Sequence, residues 1–186
     1  MSTNAKEAIL AAARQTAQAH GYGGLNYRDL ATEVGIKAAS IHYHFPAKAD
    51  LGAAVARRYW EDIVDDLASL DEAGIKPAGA LERYSHLFRR SLENGNRMCL
   101  CSFMAAEYDD LPDIVKVEVQ TFADVNIAWL SDLFAQEGLV RDDAVSKATA
   151  IFAAVSGAQL LARSRNDIAL FDQMIDTYRK SGLLDL

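Results

Sequence analysis

Between Gly35 and Pro46 the chain reads GIKAASIHYHFP, which leaves room for one short helix and nothing longer. Glycine readily takes the left-handed backbone that ends a helix, and proline is excluded from a helix interior, so the segment is bounded on both sides. Just upstream, Asn26 is placed to cap another short helix over YRDLATEV, with Asp29 at its third position and Gly35 closing it. Two short helices joined by a turn of roughly three to four residues, behind a supporting first helix, make a helix-turn-helix unit. Ala31 is small enough for the second short helix to cross close by, and Ile36, Ile41 and Phe45 fill the shared core. Such packing leaves Lys37, Ala38, Ala39, Ser40, His42, Tyr43 and His44 at or near the outer face of that helix.

The chemistry of this face suits double-stranded DNA. Small side chains at the helix start let its backbone enter a major groove about 12 Å wide. Lys37, Tyr43, His44 and Lys48 offer donors to phosphates, while Ser40 and His42 can reach base edges. Tyr27 and Arg28, early in the preceding helix, are further phosphate contacts, weighed against a plain role as solvated surface groups. A metal site is poorly supported. His42 and His44 are two apart, which on a helix turns them about 200° from each other, and no further ligand stands at a suitable spacing. No metal and no cofactor is expected.

The net charge of −7 argues against a polyanionic partner only when read globally. The first 50 residues hold five Lys/Arg against four acids, a net of +1, and the remaining 136 hold 14 against 22, a net of −8. The acidic load therefore lies in the C-terminal part, and the N-terminal part is free to approach an anion.

The rest of the chain reads as helices. Thr3 or Asn4 caps a first helix with Ile9, Ala13, Thr16 and Ala17 on one face, and HGYGG stops it. Pro46 falls in the first turn of a long helix in which Leu51, Val55, Tyr59, Ile63 and Leu67 recur every four residues. Pro77 opens PAGALERYSHLFRRSLE, CLCSFMAAEY is a shorter element, and a helix from Pro112 closes at Gly138. Asp142 caps a stretch to about Arg165, and Asn166 or Asp167 caps a last helix ending at Lys180. Val/Ile/Thr-rich alternation is absent, so the fold class is all-α with about nine helices: a three-helix domain over 1–50, joined by a long helix to a helical domain over 51–186. With 51% hydrophobic and 24% charged residues the composition is that of a soluble globular protein. No uninterrupted apolar run spans a bilayer and no signal-peptide core is present, so a cytoplasmic protein without membrane association is expected.

Residues 25–51, LNYRDLATEVGIKAASIHYHFPAKADL, follow the helix-turn-helix signature of the TetR/AcrR family of transcriptional regulators, with Tyr43, His44, Phe45, Lys48 and Leu51 in place. The strong resemblance lies in this segment, and the helix count agrees. It departs where Ala38 replaces a frequent lysine or arginine, Ala39 a common glycine and His42 a frequent tyrosine. These departures bear on the operator sequence rather than on binding.

The resemblance implies a C-terminal domain that encloses a ligand pocket and supplies a dimer interface. The pocket residues it points to are Tyr84, His86 and Phe88, then Phe103, Met104, Glu107 and Tyr108, then Phe122, Asn126 and Trp129. Aromatics at helical spacing are also ordinary core, so only some are expected to touch a ligand, a mostly apolar small molecule with one polar anchor. For the dimer, ATAIFAAVSGAQLLA (148–162) is rich in small side chains, with Ile151, Val155, Leu160 and Leu161 adding apolar area, and the last helix adds Ile168, Phe171, Ile175 and Tyr178, although part of this stripe must face its own domain. The expected function is a homodimeric, ligand-responsive repressor on palindromic operator DNA, which needs no catalytic residue. Ligand binding is expected to shift residues 47–70 and so the separation of the two recognition helices, roughly 34–36 Å in the simplest case.

Two cysteines, Cys99 and Cys101, stand apart from this reading. They do not form a Cys-x-x-Cys pair, and on a helix their sulfurs point to opposite sides. One could be a sensing thiol with Arg97 favouring its thiolate, although two small buried hydrophobes is the plainer reading. The alternative function is an all-helical, thiol-dependent, peroxide-reducing enzyme using Cys99 or Cys101. Against it stands the lack of a histidine at helical spacing from either thiol.

Overall fold

The computed structural model describes residues 2–72 and 76–185, without the side chains of 2–4 and 71–72. Among the described residues are nine α-helices and no strand. They are α1 (Ser2–His20), α2 (Tyr27–Val34), α3 (Ala38–His44), α4 (Lys48–Glu72), α5 (Pro77–Glu93), α6 (Leu100–Ala106), α7 (Asp113–Gln136), α8 (Arg141–Arg165) and α9 (Ile168–Lys180). One 3-10 turn, Tyr108–Asp110, separates α6 from α7.

Most helix boundaries follow from local chemistry. Asn26 has extended backbone, and its side chain accepts from the N–H groups of Arg28 and Asp29, so α2 starts where a capping residue stands. Gly35 closes α2 in the left-handed conformation (φ 74°), donating to the carbonyls of Ala31 and Thr32. Asp167 caps α9 in the same way as Asn26 caps α2, and Asn166 ends α8 with φ 52°. Other expected boundaries differ. Pro46 precedes α4 rather than lying in its first turn: the Ala47 N–H donates to the Asp50 carboxylate, and the Ala47 carbonyl accepts from Asp50 and Leu51, so the capping position falls at Ala47. Val140, not Asp142, precedes α8, which puts Asp142 and Asp143 inside the first turn, where a helix N-terminus favours acids. The expected caps Thr3 and Asn4 lie outside the described side chains.

The chain divides into two compact units, Met1–Glu61 with Leu100–Phe122, and Asp62–Cys99 with Ala123–Leu186. α6 and the first part of α7 group with the N-terminal helices in the first unit. In the first unit Ile9, Ala13 and Ala17 of α1, Leu30 of α2 and Ile41 of α3 are buried, as are Leu51, Val55 and Tyr59 of α4 and Met104 of α6. Glu118 of α7 is buried there too; its carboxylate accepts from Arg57 Nε at 3.0 Å and Trp60 Nε1 at 2.8 Å. In the second unit α8 packs against α5 and α9. Gln159 is buried at their meeting, where its amide donates to the Phe88 carbonyl (2.6 Å) and accepts from the Cys99 N–H (3.0 Å).

α8 is the one helix among the described residues long and apolar enough to cross a membrane by length and composition, although only 33% of its most apolar window is buried. Its apolar residues are interrupted by small polar side chains and Lys147 rather than by several charges.

Candidate nucleic-acid interface

The second short helix sorts its side chains as a surface reading helix does. Ile41 is fully buried and Phe45 is 3% exposed, whereas Tyr43 is 80% exposed. Lys37, Ala38, Ala39 and His42 are exposed too, and Ser40 and His44 are half-buried. None of the residues expected to face DNA is buried. The Tyr43 ring stands edge-on to His44 at 5.1 Å, so the pair forms one projecting aromatic surface. Ala38 and Ala39 at the α3 start carry nothing that would hold a duplex away.

Three expected contacts have other commitments. The Tyr27 hydroxyl donates to the Phe45 carbonyl at 2.8 Å, so its proton secures the end of α3. Burial pushes the Tyr27 phenol up to about 12, helped by the charge of Asp50 and by Tyr22. Its ring packs on His42 at 4.6 Å, and His42 Nδ1 lies 3.5 Å from the Pro46 carbonyl. Lys48 donates to the Gly23 carbonyl at 3.2 Å with its ammonium 4.6 Å above the Tyr22 ring. An ammonium has three N–H donors, so Lys48 can still meet a phosphate. Arg28 is exposed. Among the described residues no group of three or more His, Cys, Asp or Glu is placed to hold a metal ion.

Comparison with known proteins decides the family. Residues 9–55 match the family described as bacterial regulatory proteins, tetR family, and residues 77–177 match the LmrA/YxaF-like transcriptional regulator C-terminal domain. The chain belongs to the TetR family. A TetR transcriptional regulator from Legionella pneumophila superposes with a TM-score of 0.89 at 29% identity, covering 95% of this chain and 96% of that one. A TetR-family regulator from Agrobacterium tumefaciens gives 0.87 at 28% identity over 94% and 95%. An uncharacterised HTH-type transcriptional regulator in the lacX 3' region of Lactococcus lactis subsp. lactis is 26% identical, over 96% of this chain and 93% of its own length.

As a TetR-family chain it is a helix-turn-helix transcriptional regulator, and its other expected sites fall as follows. The expected pocket residues are shared between the two compact units. Tyr84, Phe88, Asn126 and Trp129 belong to the second unit, and Phe103, Met104, Glu107, Tyr108 and Phe122 to the first. In the second unit the buried Tyr84 hydroxyl donates to Asn126 Oδ1 at 3.0 Å, and its ring stacks on Trp129 at 5.8 Å. Burial holds the Tyr84 phenol well above its ordinary range. His86 is exposed. In the first unit Met104 is fully buried, Phe122 packs on Tyr59 at 5.7 Å, and Tyr108 meets Gln120 at the surface. Glu107 is no free polar anchor: its carboxylate accepts from the backbone N–H groups of Tyr22 and Gly23.

The expected dimer residues divide between the core and the surface. Ile151, Val155, Phe171 and Ile175 are all 3% exposed or less, so the stripe expected to meet a partner lines the protein's own core. Tyr178 is half-buried. Leu160 stays outside at 55% exposure, joined by Leu161, Ala153 and Gly157. Periodicity could not assign the faces, because α8 carries small or apolar residues almost all round. Both thiols are buried, as the plainer reading of them has it. Cys99 and Cys101 are each 1% exposed, and Cys101 Sγ donates a weak 3.9 Å bond to the Ala56 carbonyl. A peroxide or electrophile has no direct approach to either sulfur in this conformation.

Sequence reasoning missed the roles of Glu107, Glu118 and Gln159. Their partners lie 84 or 85, 58 or 61, and 60 or 71 residues away, so no local pattern marks them.

Proposed function

We propose that this TetR-family regulator is a repressor that binds palindromic operator DNA as a homodimer and is released by a mostly apolar small molecule. The observation that carries the DNA reading is the division of α3, with Tyr43 80% exposed between Ile41 at 0% and Phe45 at 3%. A large ring held in water beside two anchored neighbours adds little to folding and is placed to meet a phosphate backbone. Lys37, Tyr43 and His44 contact phosphates, together with Arg28 and the remaining donors of Lys48. Ser40 and His42 reach base edges, while Ala38 and Ala39 admit the helix to the groove. Tyr27 contributes by holding α3 in place.

The dimer forms through the outer face of α8, where Ala153, Gly157, Leu160 and Leu161 allow close helix packing. The open space around the Gly157 Cβ position supports this reading. In the second unit, Tyr84 and Asn126 beside Phe88 and Trp129 give the effector one polar anchor within aromatic walls. The regulator acts in the cytoplasm, where it meets chromosomal DNA. Footprinting of genomic fragments enriched by the purified protein tests the proposal. Two protected half-sites related by a twofold axis are expected; a single asymmetric footprint or none contradicts it.

A further inference from the structure

The α1–α2 turn is gripped by a side chain from a distant part of the chain. α1 makes its last helical closure with Gly21 N–H donating to the Ala17 carbonyl, so the N–H groups of Tyr22 and Gly23 need partners elsewhere. Glu107 supplies both: Oε2 accepts from Tyr22 at 2.6 Å and Oε1 from Gly23 at 3.1 Å. One carboxylate oxygen serves each of two consecutive donors, a match that an amide with one acceptor and one donor cannot make. The turn is shaped for this approach. A Cβ on Gly21 would lie 2.2 Å from Glu107 Oε2, and Gly21 also holds φ at +68°.

The opposite side of the turn is held by α4. Gly23 O accepts from Lys48, and Tyr22 lies so close to Gly52 that a Cβ there would come within 2.6 Å of the ring. Leu25, which is buried, then donates to the Tyr22 carbonyl, and Asn26 opens α2. The pose of Tyr22 and Gly23 therefore sets where α2, and through it α3, begins. Glu107 itself is pinned by the Met104 carbonyl, to which its N–H donates, and by Asp110, whose N–H its carbonyl accepts. The chain enters this unit at Leu100, and only α6 separates that entry from Glu107.

We propose that Glu107 is a positioning residue for DNA binding: its carboxylate clasp on Tyr22 and Gly23 holds the helix-turn-helix in its operator-competent pose. This inference rests on the DNA-binding reading above and names a residue that holds the reading unit in place without touching DNA. Glu107 touches the turn and acts on DNA only through it. Any shift that carries the carboxylate away frees two N–H groups and alters the start of α2 without unfolding the unit.

The test uses an operator fragment enriched by the full-length wild-type protein and compares E107Q with E118Q. Glu118 is a buried carboxylate of the same unit that does not touch the turn, so its substitution reports a general loss of packing. E107Q is expected to weaken operator affinity by about tenfold or more, equivalent to about 1.4 kcal/mol, with an unchanged helical signal; E118Q keeps wild-type affinity. Amide exchange at Tyr22 and Gly23 speeds up in E107Q alone, and bound operator slows it in the wild type, as reciprocal coupling requires. Should E107Q not fold, E107D, which keeps the charge but shortens the reach, is expected to fall between the two. Wild-type affinity in E107Q, or in E107D where E107Q does not fold, overturns the inference, as does an equal loss in E118Q. If the wild type enriches no fragment, the DNA-binding reading fails first and this inference with it.

Discussion

The hydroxyl of Tyr27 donates to the carbonyl of Phe45 at 2.8 Å, joining the first residue of α2 to the residue that closes α3. The two short helices of the reading unit are thus latched at the side opposite their connecting turn, where Gly35 makes the bend. A latch of this kind fixes the angle at which α3 is presented.

The latch needs the phenol proton, and this gives it a pH signature. Burial, then the charge of Asp50 and the neighbouring Tyr22, raises the Tyr27 phenol to about 12, above the ordinary tyrosine value of about 10. The folded state thus holds this proton more tightly than the unfolded one. Its contribution is complete below about pH 10 and is lost as pH rises towards about 12. Tyr27→Phe is expected to cost about 1 kcal/mol at neutral pH. The gap between wild type and variant should shrink as urea unfolding is repeated from about pH 8 to about pH 11. A gap that stays constant over that range would remove the latch.

Gln159 ties three segments of the second unit through two buried hydrogen bonds. Gln159→Leu keeps the volume similar and leaves the Phe88 carbonyl and the Cys99 N–H without their partner. A loss of about 2–3 kcal/mol in unfolding free energy is expected, measured by chemical denaturation. A neutral result would show that both groups find other acceptors and donors.

The two faces of α8 should respond in opposite ways. Ile151→Ala lies in the core and is expected to lower stability by about 2–5 kcal/mol while leaving the assembly state alone. Leu160→Glu lies on the exposed face and should shift sedimentation from dimer to monomer. If Leu160→Glu remains a dimer, the partner surface lies elsewhere.

Much of the fold was legible because its signals are local. Asn26, Gly35, Gly138 and Asp167 act on backbone groups within a few residues, and Leu51 to Leu67 repeat along one helix, so the elements could be drawn from sequence. The outer face of α3 was legible for the same reason: Ile41 and Phe45 point one way and Tyr43 the other. What failed depended on distant partners. Ile151 and Val155 were assigned to a partner chain because small residues surround α8 and leave its inward face undefined. The contacts of Lys48 with Gly23, 25 residues away, and with Tyr22 beside it were not legible, and Glu107 read as a pocket residue because nothing near it in sequence names the turn it holds.

The most direct measurement is the affinity of wild type and Tyr43→Ala for a genomic fragment enriched by the wild-type protein, read with the melting midpoint of each. Because the Tyr43 ring is 80% exposed, its loss should leave stability within about 0.5 kcal/mol. Operator affinity should fall by about tenfold or more, with the salt dependence little changed because the phenol carries no charge. A variant that binds as tightly as the wild type, or a wild type that enriches no fragment, would contradict the assignment of α3 as the reading helix.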